Sequence, residues 1–401
     1  MTAAFLTLLL LLMAPQILVY MAVSATHARK FALAESIYEF MIGLNRALLL
    51  VLPFKFIAQT LITCEINIVY VWSHTHQNAG RAVVLLKEAD SICKRYGMGN
   101  ASLRGMVLLN LSMALARTDR TEEAGECQVD AFKLFEAAGD ITRQGLTFVS
   151  LAANSLQAGN IADGEKWANC ALKVLPATLT AEERQLTDWR AKALNNIGIA
   201  KGYKCEWDKA KETFDLALSA KRAHLPATDP SVIVGLNNSA WAALKCNKLD
   251  EAEKYLSEAR RSSRGNPHLG TNIPVTISIN YAELLRKRKH LSEASDELNA
   301  ALAISGAALE QTRASLYCEM ANLYAAKQEF VEADRWYRDC ISIWEKLEGS
   351  THPKLAPVLI SYAKCLRATD RIADAEKYIA RAQEISSLHG IILEKVEESV
   401  A

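Results

Sequence analysis

The chain carries an internal repeat of about forty-two residues, and this restricts its fold more than any other property. A small residue followed four and seven places later by apolar or small ones recurs at Ala82, Ala124, Gly164, Ala210, Ala252, Ala294, Ala333 and Ala375. The intervals are 42, 40, 46, 42, 42, 39 and 42. Thirteen places upstream of each lies a second fixed position: Val69, Leu111, Leu151, Ile197, Ser239, Tyr281, Met320 and Tyr362. A small residue usually follows it, as at Ser112, Ala152, Gly198, Ala240, Ala282, Ala321 and Ala363. A period of this length signals identical supersecondary units stacked in a row, so function is sought first on a surface.

One unit shows the physical reason for the spacing. In 232–261, Leu236, Ser239, Ala240 and Ala243 form one group, and Leu249, Ala252, Leu256 and Ala259 a second. Steps of three and four place each group on one helical stripe. Between them Lys245-Cys246-Asn247-Lys248 reads as a polar reversal. Each unit is therefore expected to be a helical hairpin, with small residues where backbones approach closely. A single hairpin cannot bury its own stripe, whereas a row of them can.

Small-x3-large-x2-small, preceded by a large–small pair thirteen and twelve residues earlier, resembles the tetratricopeptide repeat. The longer period, and Gly349-Ser350-Thr351-His352-Pro353 entering a helix through Ser361-Tyr362-Ala363, resemble its kinesin-light-chain variety. Asp229-Pro230 and Pro267-His268 stand at corresponding junctions. The pattern covers roughly residues 60–385, and its 40–46 spacing departs from the shorter classical unit. The resemblance implies an all-α right-handed superhelical solenoid of about eight hairpins that binds a protein or peptide. It says little more, because the fold hosts unrelated roles.

Lys plus Arg number 46 against 45 Asp plus Glu, which argues against nucleic-acid binding through a basic footprint. Nine cysteines are scattered without a CxxC pair, pointing to a reducing compartment; Cys170 and Cys340 fall at helix-packing positions, where a thiol is a small apolar filler. Sequons begin at Asn100, Asn110 and Asn237, the last two inside expected helices.

Residues 2–26 contain no charged side chain and are long enough to span a bilayer, which takes about twenty apolar residues. No Lys or Arg precedes them, unlike an ordinary secretory leader, although Val23-Ser24-Ala25 would serve as a cleavage site. His27, Arg29 and Lys30 follow and would hold the downstream chain in the cytoplasm. The competing explanation is a further hairpin, with Met21-Ala22 in its first helix and Ala34 anchoring its second. The density of large apolar residues favours the anchor. A second apolar stretch, Ala47 to Trp72, contains Lys55 and Glu65. A mid-bilayer lysine costs roughly 2.5–3.5 kcal/mol, so a second span requires Lys55 to snorkel or face protein. The expected divisions are 1–26 (anchor or uncleaved signal-like helix), 27–75 (helical transition with the candidate second span), 76–390 (repeat array) and 391–401 (polar tail).

Sites of chemistry are sparse. His74-Thr75-His76, read as loop histidines, lacks the further ligands that zinc needs, and no metal site or other cofactor is expected. Gly97-Met98-Gly99 with Gly105 is not a phosphate-cradling spacing and reads as a turn between repeats. Neither a nucleophile elbow nor carboxylates paired in an apolar setting are visible, so no catalytic residue is assigned and an enzyme is not expected.

The informative polar signal is a ladder: Asn110, Asn196, Asn238 and Asn280 each precede the large residue of the large–small pair. At that phase they are expected to face the concave side, where an amide suits bidentate bonding to a peptide backbone. The kinesin-light-chain resemblance implies the same role; the competing explanation is that they satisfy neighbouring backbone or water. Arg117, Lys245, Arg286, Lys287 and Arg367 lie near the far ends of the same helices. If they converge, the groove gains a basic rim and prefers an acidic segment or a C-terminal carboxylate; the alternative is simple complementarity to helix dipoles. Trp189, Trp207, Trp241, Trp336 and Trp344 add anchoring surface, with Trp207 expected in the core and Trp241 facing the groove. The sequence thus reads as a non-enzymatic peptide-binding scaffold or adaptor, tethered at a membrane with its repeats in the cytoplasm. The alternatives are a soluble or exported protein with a cleaved leader, or the sensor module of a signalling system.

Overall fold

The computed structural model describes residues 18–26, 30–75, 78–97, 101–118, 120–175, 184–266 and 269–393, and no strand occurs among them. The chain divides into two compact units, one ending at Ser150 and the other beginning at Leu151. In the first, residues 18–26 are helical, followed by α1 (Phe31–Val51), α2 (Lys55–Thr75), α3 (Ala79–Arg95), α4 (Ala101–Ala116) and α5 (Thr121–Ala137). The division falls inside α6 (Ile141–Gln157). The second unit continues with α7 (Ile161–Val174), α8 (Arg184–Tyr203), α9 (Trp207–Arg222), α10 (Pro230–Lys245) and α11 (Leu249–Ser263). It ends with α12 (Asn272–Lys287), α13 (Leu291–Ile304), α14 (Glu310–Ala326), α15 (Phe330–Glu348), α16 (Leu355–Arg367) and α17 (Ile372–His389). This is an all-α solenoid of stacked hairpins, as the repeat requires.

The anchor residues explain the stacking. All eight, from Ala82 to Ala375, are buried, and so are their upstream partners except Tyr281, which is half-buried beneath Arg260. Where two helices close most tightly, glycine is needed: a Cβ on Gly105 would lie 2.6 Å from the ring of Phe135, and one on Gly198 equally close to Phe214. Gly105, read from sequence as part of a turn, therefore belongs to α4.

Six of the reversals are built alike. Gly159, Cys205, Asn247, Lys289, Gln328 and Asp370 all have left-handed backbone, and each stands five residues before an anchor. The next amide then bonds back to the carbonyl five residues earlier, as in Lys248 N–Ala243 O (2.9 Å), His290 N–Leu285 O (2.9 Å) and Glu329 N–Tyr324 O (2.9 Å). This is the Schellman closure, which satisfies carbonyls the helix end leaves open. The Lys245–Lys248 reversal is one such turn.

The amino-terminal expectation changes in part. Ala22 and Ala25 are buried together with Ala34, Tyr38, Met41, Ile42 and Asn45, the arrangement of the alternative hairpin anchored on Ala34. Residues 47–72 do not form one span. Leu52–Phe54 divide them between α1 and α2, and Ile57, Leu61, Ile62 and Glu65 are buried inside the unit. No helix among the described residues is long and apolar enough to cross a membrane. Residues 2–17 of the expected anchor lie outside the described residues, as does His76; His74 belongs to the last turn of α2 instead of a loop.

Candidate functional site

The first helices of five successive hairpins, α8, α10, α12, α14 and α16, turn one side toward a common cavity of about 580 Å3 in the second unit. That volume lies in the range of small-ligand sites, roughly 300–1,000 Å3. Its aliphatic lining includes Ile199, Ile279, Val358 and Ile360. Trp207 and Trp241 stand edge to face at 5.1 Å between centroids, and Trp344 lines the same space.

Amides join one hairpin to the next across this surface. Asn238 Nδ2 donates to Asn195 Oδ1 at 2.6 Å, and Asn280 Nδ2 donates to Asn237 Oδ1 at 2.9 Å. An amide has two donors and a two-lone-pair acceptor, so each rung retains hydrogen-bonding capacity beyond its bond to the neighbour. The rungs hold Asn237, Asn238 and Asn280 in fixed orientation while they line the cavity. Asn322 adds a fourth amide, accepting from the Tyr337 hydroxyl at 2.7 Å and donating to Glu319 at 2.9 Å.

Two ion pairs continue the same ladder. Lys245 Nζ lies 2.8 Å from Glu283 Oε1, and Arg286 grips Glu319 through Nε (2.7 Å) and Nη2 (3.2 Å). Burial works to raise the Glu283 carboxyl, but Lys245, with Arg286 and Lys287 beyond it, outweighs that and holds it below its ordinary value. Burial likewise opposes the charge on Arg286, and Glu319 more than restores it.

Of the ten residues singled out from sequence, Asn238, Asn280, Trp241 and Lys245 line the cavity. Asn196 is buried away from it. Asn110 and Arg117 belong to the first unit; Asn110 bonds to the Met106 carbonyl of its own helix, and Arg117 is exposed. The basic residues do not gather into a rim: Lys245 and Arg286 are neutralised as above, Arg367 pairs with Glu376 at 2.6 Å, and Lys287 is half-buried outside the lining. Trp207, expected in the core, is half-buried on the cavity wall. Sequence reasoning missed Glu283, Glu319, Asn322 and Lys354. The 39-residue interval before Ala333 shifts the register, so Glu319 occupies the ladder phase and Asn322 falls outside it.

The last hairpin of this unit returns to its first. His352 Nε2 lies 2.9 Å from the Gln157 carbonyl, and His389 faces the carbonyls of Gly159 (3.0 Å) and Thr351 (2.8 Å). A Cβ on Gly159 would meet Pro353 at 2.6 Å. Beyond α17, Ile392 N reaches Tyr203 O (3.4 Å), while Cys205 Sγ donates to Ile392 O (3.1 Å), so residues 391–393 form part of the cavity wall. Burial pushes His352 down to about 4, and the imidazole is neutral in this seam.

A tetratricopeptide-repeat family model matches residues 312–387, which span α14 to α17. No curated protein sequence matches the chain. Among solved structures, the chain is similar to a Rap protein complexed with competence and sporulation factor (TM-score 0.66, 12% identity, covering 94% of this chain and 98% of that one). It is also similar to NprR in complex with its cognate peptide NprX (0.59, 14%, 93% and 98%). A third is aspartyl phosphate phosphatase F from Bacillus subtilis (0.55, 11%, 96% and 97%). At these identities the likeness is one of fold.

Proposed function

We propose that the chain is a peptide receptor whose second unit holds an extended segment in the cavity, with no bond made or broken. The observation that carries this reading is the amide ladder. Asn237, Asn238, Asn280 and Asn322 line one space, are oriented by their neighbours, and offer donors and acceptors at hairpin spacing. Such a row matches a peptide backbone, while Trp207, Trp241 and Trp344 supply apolar contact for side chains. A surface ordered beforehand by its own rungs avoids part of the entropy cost of binding. The similar folds complexed with competence and sporulation factor and with the peptide NprX support a peptide as the ligand class.

The test is capture of peptides from a random hexapeptide pool by the full chain, identified by mass spectrometry. Asn238→Ala and Trp241→Ala are each expected to reduce recovery about tenfold, the effect of losing one good polar or aromatic anchor. Recovery unchanged in both variants would refute a peptide site here. Peptide-dependent capture of a second protein would identify a sensor, and peptide-independent capture a scaffold. The amino-terminal anchor remains part of the proposal only for residues 2–17, which precede the helix packed against Ala34, on their apolar composition; retention in the membrane pellet after carbonate extraction is its expected outcome, and release into the soluble fraction removes it.

A further inference from the structure

One cation on the cavity wall has no ion-pair partner among the described residues. Glu283 is matched by Lys245 and Glu319 by Arg286, each at ion-pair distance. Lys354 also lines the cavity, and no carboxylate among the described residues lies within ion-pair distance of it. Its Nζ stands 4.7 Å from the centroid of the Trp344 ring instead, a π face that stabilises a cation far less than a carboxylate does.

Three further observations make this position unusual. Lys354 occupies the position before the first turn of α16 without capping it, and there the helix dipole disfavours a cation and favours an anion. The neighbouring imidazole of His352 accepts the Lys354 backbone N–H at 3.3 Å and, held neutral by burial, adds no second positive charge beside the ammonium. Burial holds the ammonium below its ordinary value, against the opposing charge of Glu348. A desolvated cation at the positive end of a helix is poorly placed for stability and well placed to take an anion.

We propose that Lys354 is a carboxylate-capture point, binding a side-chain or terminal carboxylate of the bound peptide against the face of Trp344. This rests on the peptide-receptor reading and assigns its charge selection to one residue. Lys354 is the one lining cation without a carboxylate at ion-pair distance among the described residues, so one ligand carboxylate matches it. Of the basic rim expected from Arg117, Lys245, Arg286, Lys287 and Arg367, three are paired with carboxylates, and Arg117 and Lys287 do not line the cavity.

The experiment uses the full chain and four labelled hexapeptide pools, read by fluorescence polarisation. One position carries Asp or its neutral isostere Asn, and the carboxyl end is either free or amidated. Wild type is expected to bind at least one carboxylate-bearing pool about tenfold or more tightly than the Asn, amidated pool, as a charge-assisted contact requires. Whether the Asp or the free end carries that preference identifies the source of the carboxylate. Lys354→Met should abolish the preference and leave affinity for the Asn, amidated pool within about twofold. Lys354→Gln repeats the measurement should the methionine variant fail to fold, and Lys354→Arg should retain the preference. Equal binding of all four pools by wild type, or a preference that survives both neutral substitutions, overturns the proposal. Failure of every pool to bind overturns the peptide-receptor reading itself, and this inference with it.

Discussion

Glu65 in the first unit and Glu283 in the second are both sunk between helices, on the first helix of a hairpin, yet they hold their protons differently. Arg46 on α1 reaches Glu65 at 3.1 Å with the same Nη2 that lies 2.6 Å from Glu88 on α3, and Glu65 Oε2 has no hydrogen-bond partner. Burial, helped by the charge of Glu88 and only partly opposed by Arg46, pushes Glu65 up to about 8. Around Glu283 the proportion is reversed, with Lys245, Arg286 and Lys287 facing one carboxylate, and its value is lowered. Depth in the protein is similar; the number of cations per carboxylate decides the protonation state.

The comparison breaks most sharply when one partner is removed. Lys245→Ala takes the hydrogen-bonded cation from the buried Glu283, leaving only the more distant Arg286 and Lys287, and should cost about 3 kcal/mol in urea denaturation. Glu65→Gln replaces a carboxyl already protonated near neutral pH, and should stay within about 1 kcal/mol. Equal losses would mean that Glu65 is ionised too. A second pair of substitutions asks whether packing, unlike charge, is shared by the units. Gly105→Ala and Gly198→Ala each press a methyl into a phenylalanine ring, and both should lower stability by about 1–3 kcal/mol.

A subtler consequence concerns pH. Glu65 has a folded value above its ordinary one, so its contribution to the first unit is full below the unfolded value and is lost as pH rises through about 8. Glu283 has the opposite sign, losing its contribution as pH falls through its lowered value. His352, which faces Lys354, Glu348 and His389, adds to this, with stability falling as pH drops from 6.5 toward about 4. Amide-exchange protection, corrected for intrinsic rates, should therefore rise in the first unit and fall in the second between pH 8 and 5. Glu65→Gln should flatten the first trend. The smallest effect is local: Gln328→Gly relieves a left-handed turn residue and should stabilise by up to about 1 kcal/mol.

What could be read from the residues follows the same physics. The hairpins were legible because close backbone approach leaves a small residue at a fixed period, and Ala82 through Ala375 mark it. The phase of the amide ladder also placed Asn238 and Asn280 on the cavity wall. Pairing was not legible, since Lys245–Glu283 and Arg286–Glu319 join residues thirty-eight and thirty-three apart with no periodic signature. Arg286 and Arg367 looked like free positive charge for that reason. Lys354 escaped notice because it lies in a junction, outside every repeated phase. Trp207 was misplaced because a position that packs at the turn also borders the interior once α10 brings Trp241 against it.

The contacts of His352 with Gln157, and of His389 with Gly159, have a consequence for cooperativity. In an open row of repeats the two end members each lack a neighbour, and unravelling starts there. Joined end to end through Gln157 and Gly159, the hairpins of the second unit are tied at both ends, so loosening one end is felt at the other. Cutting that junction would create two fraying ends at once, and the stability lost should exceed that of the contacts themselves.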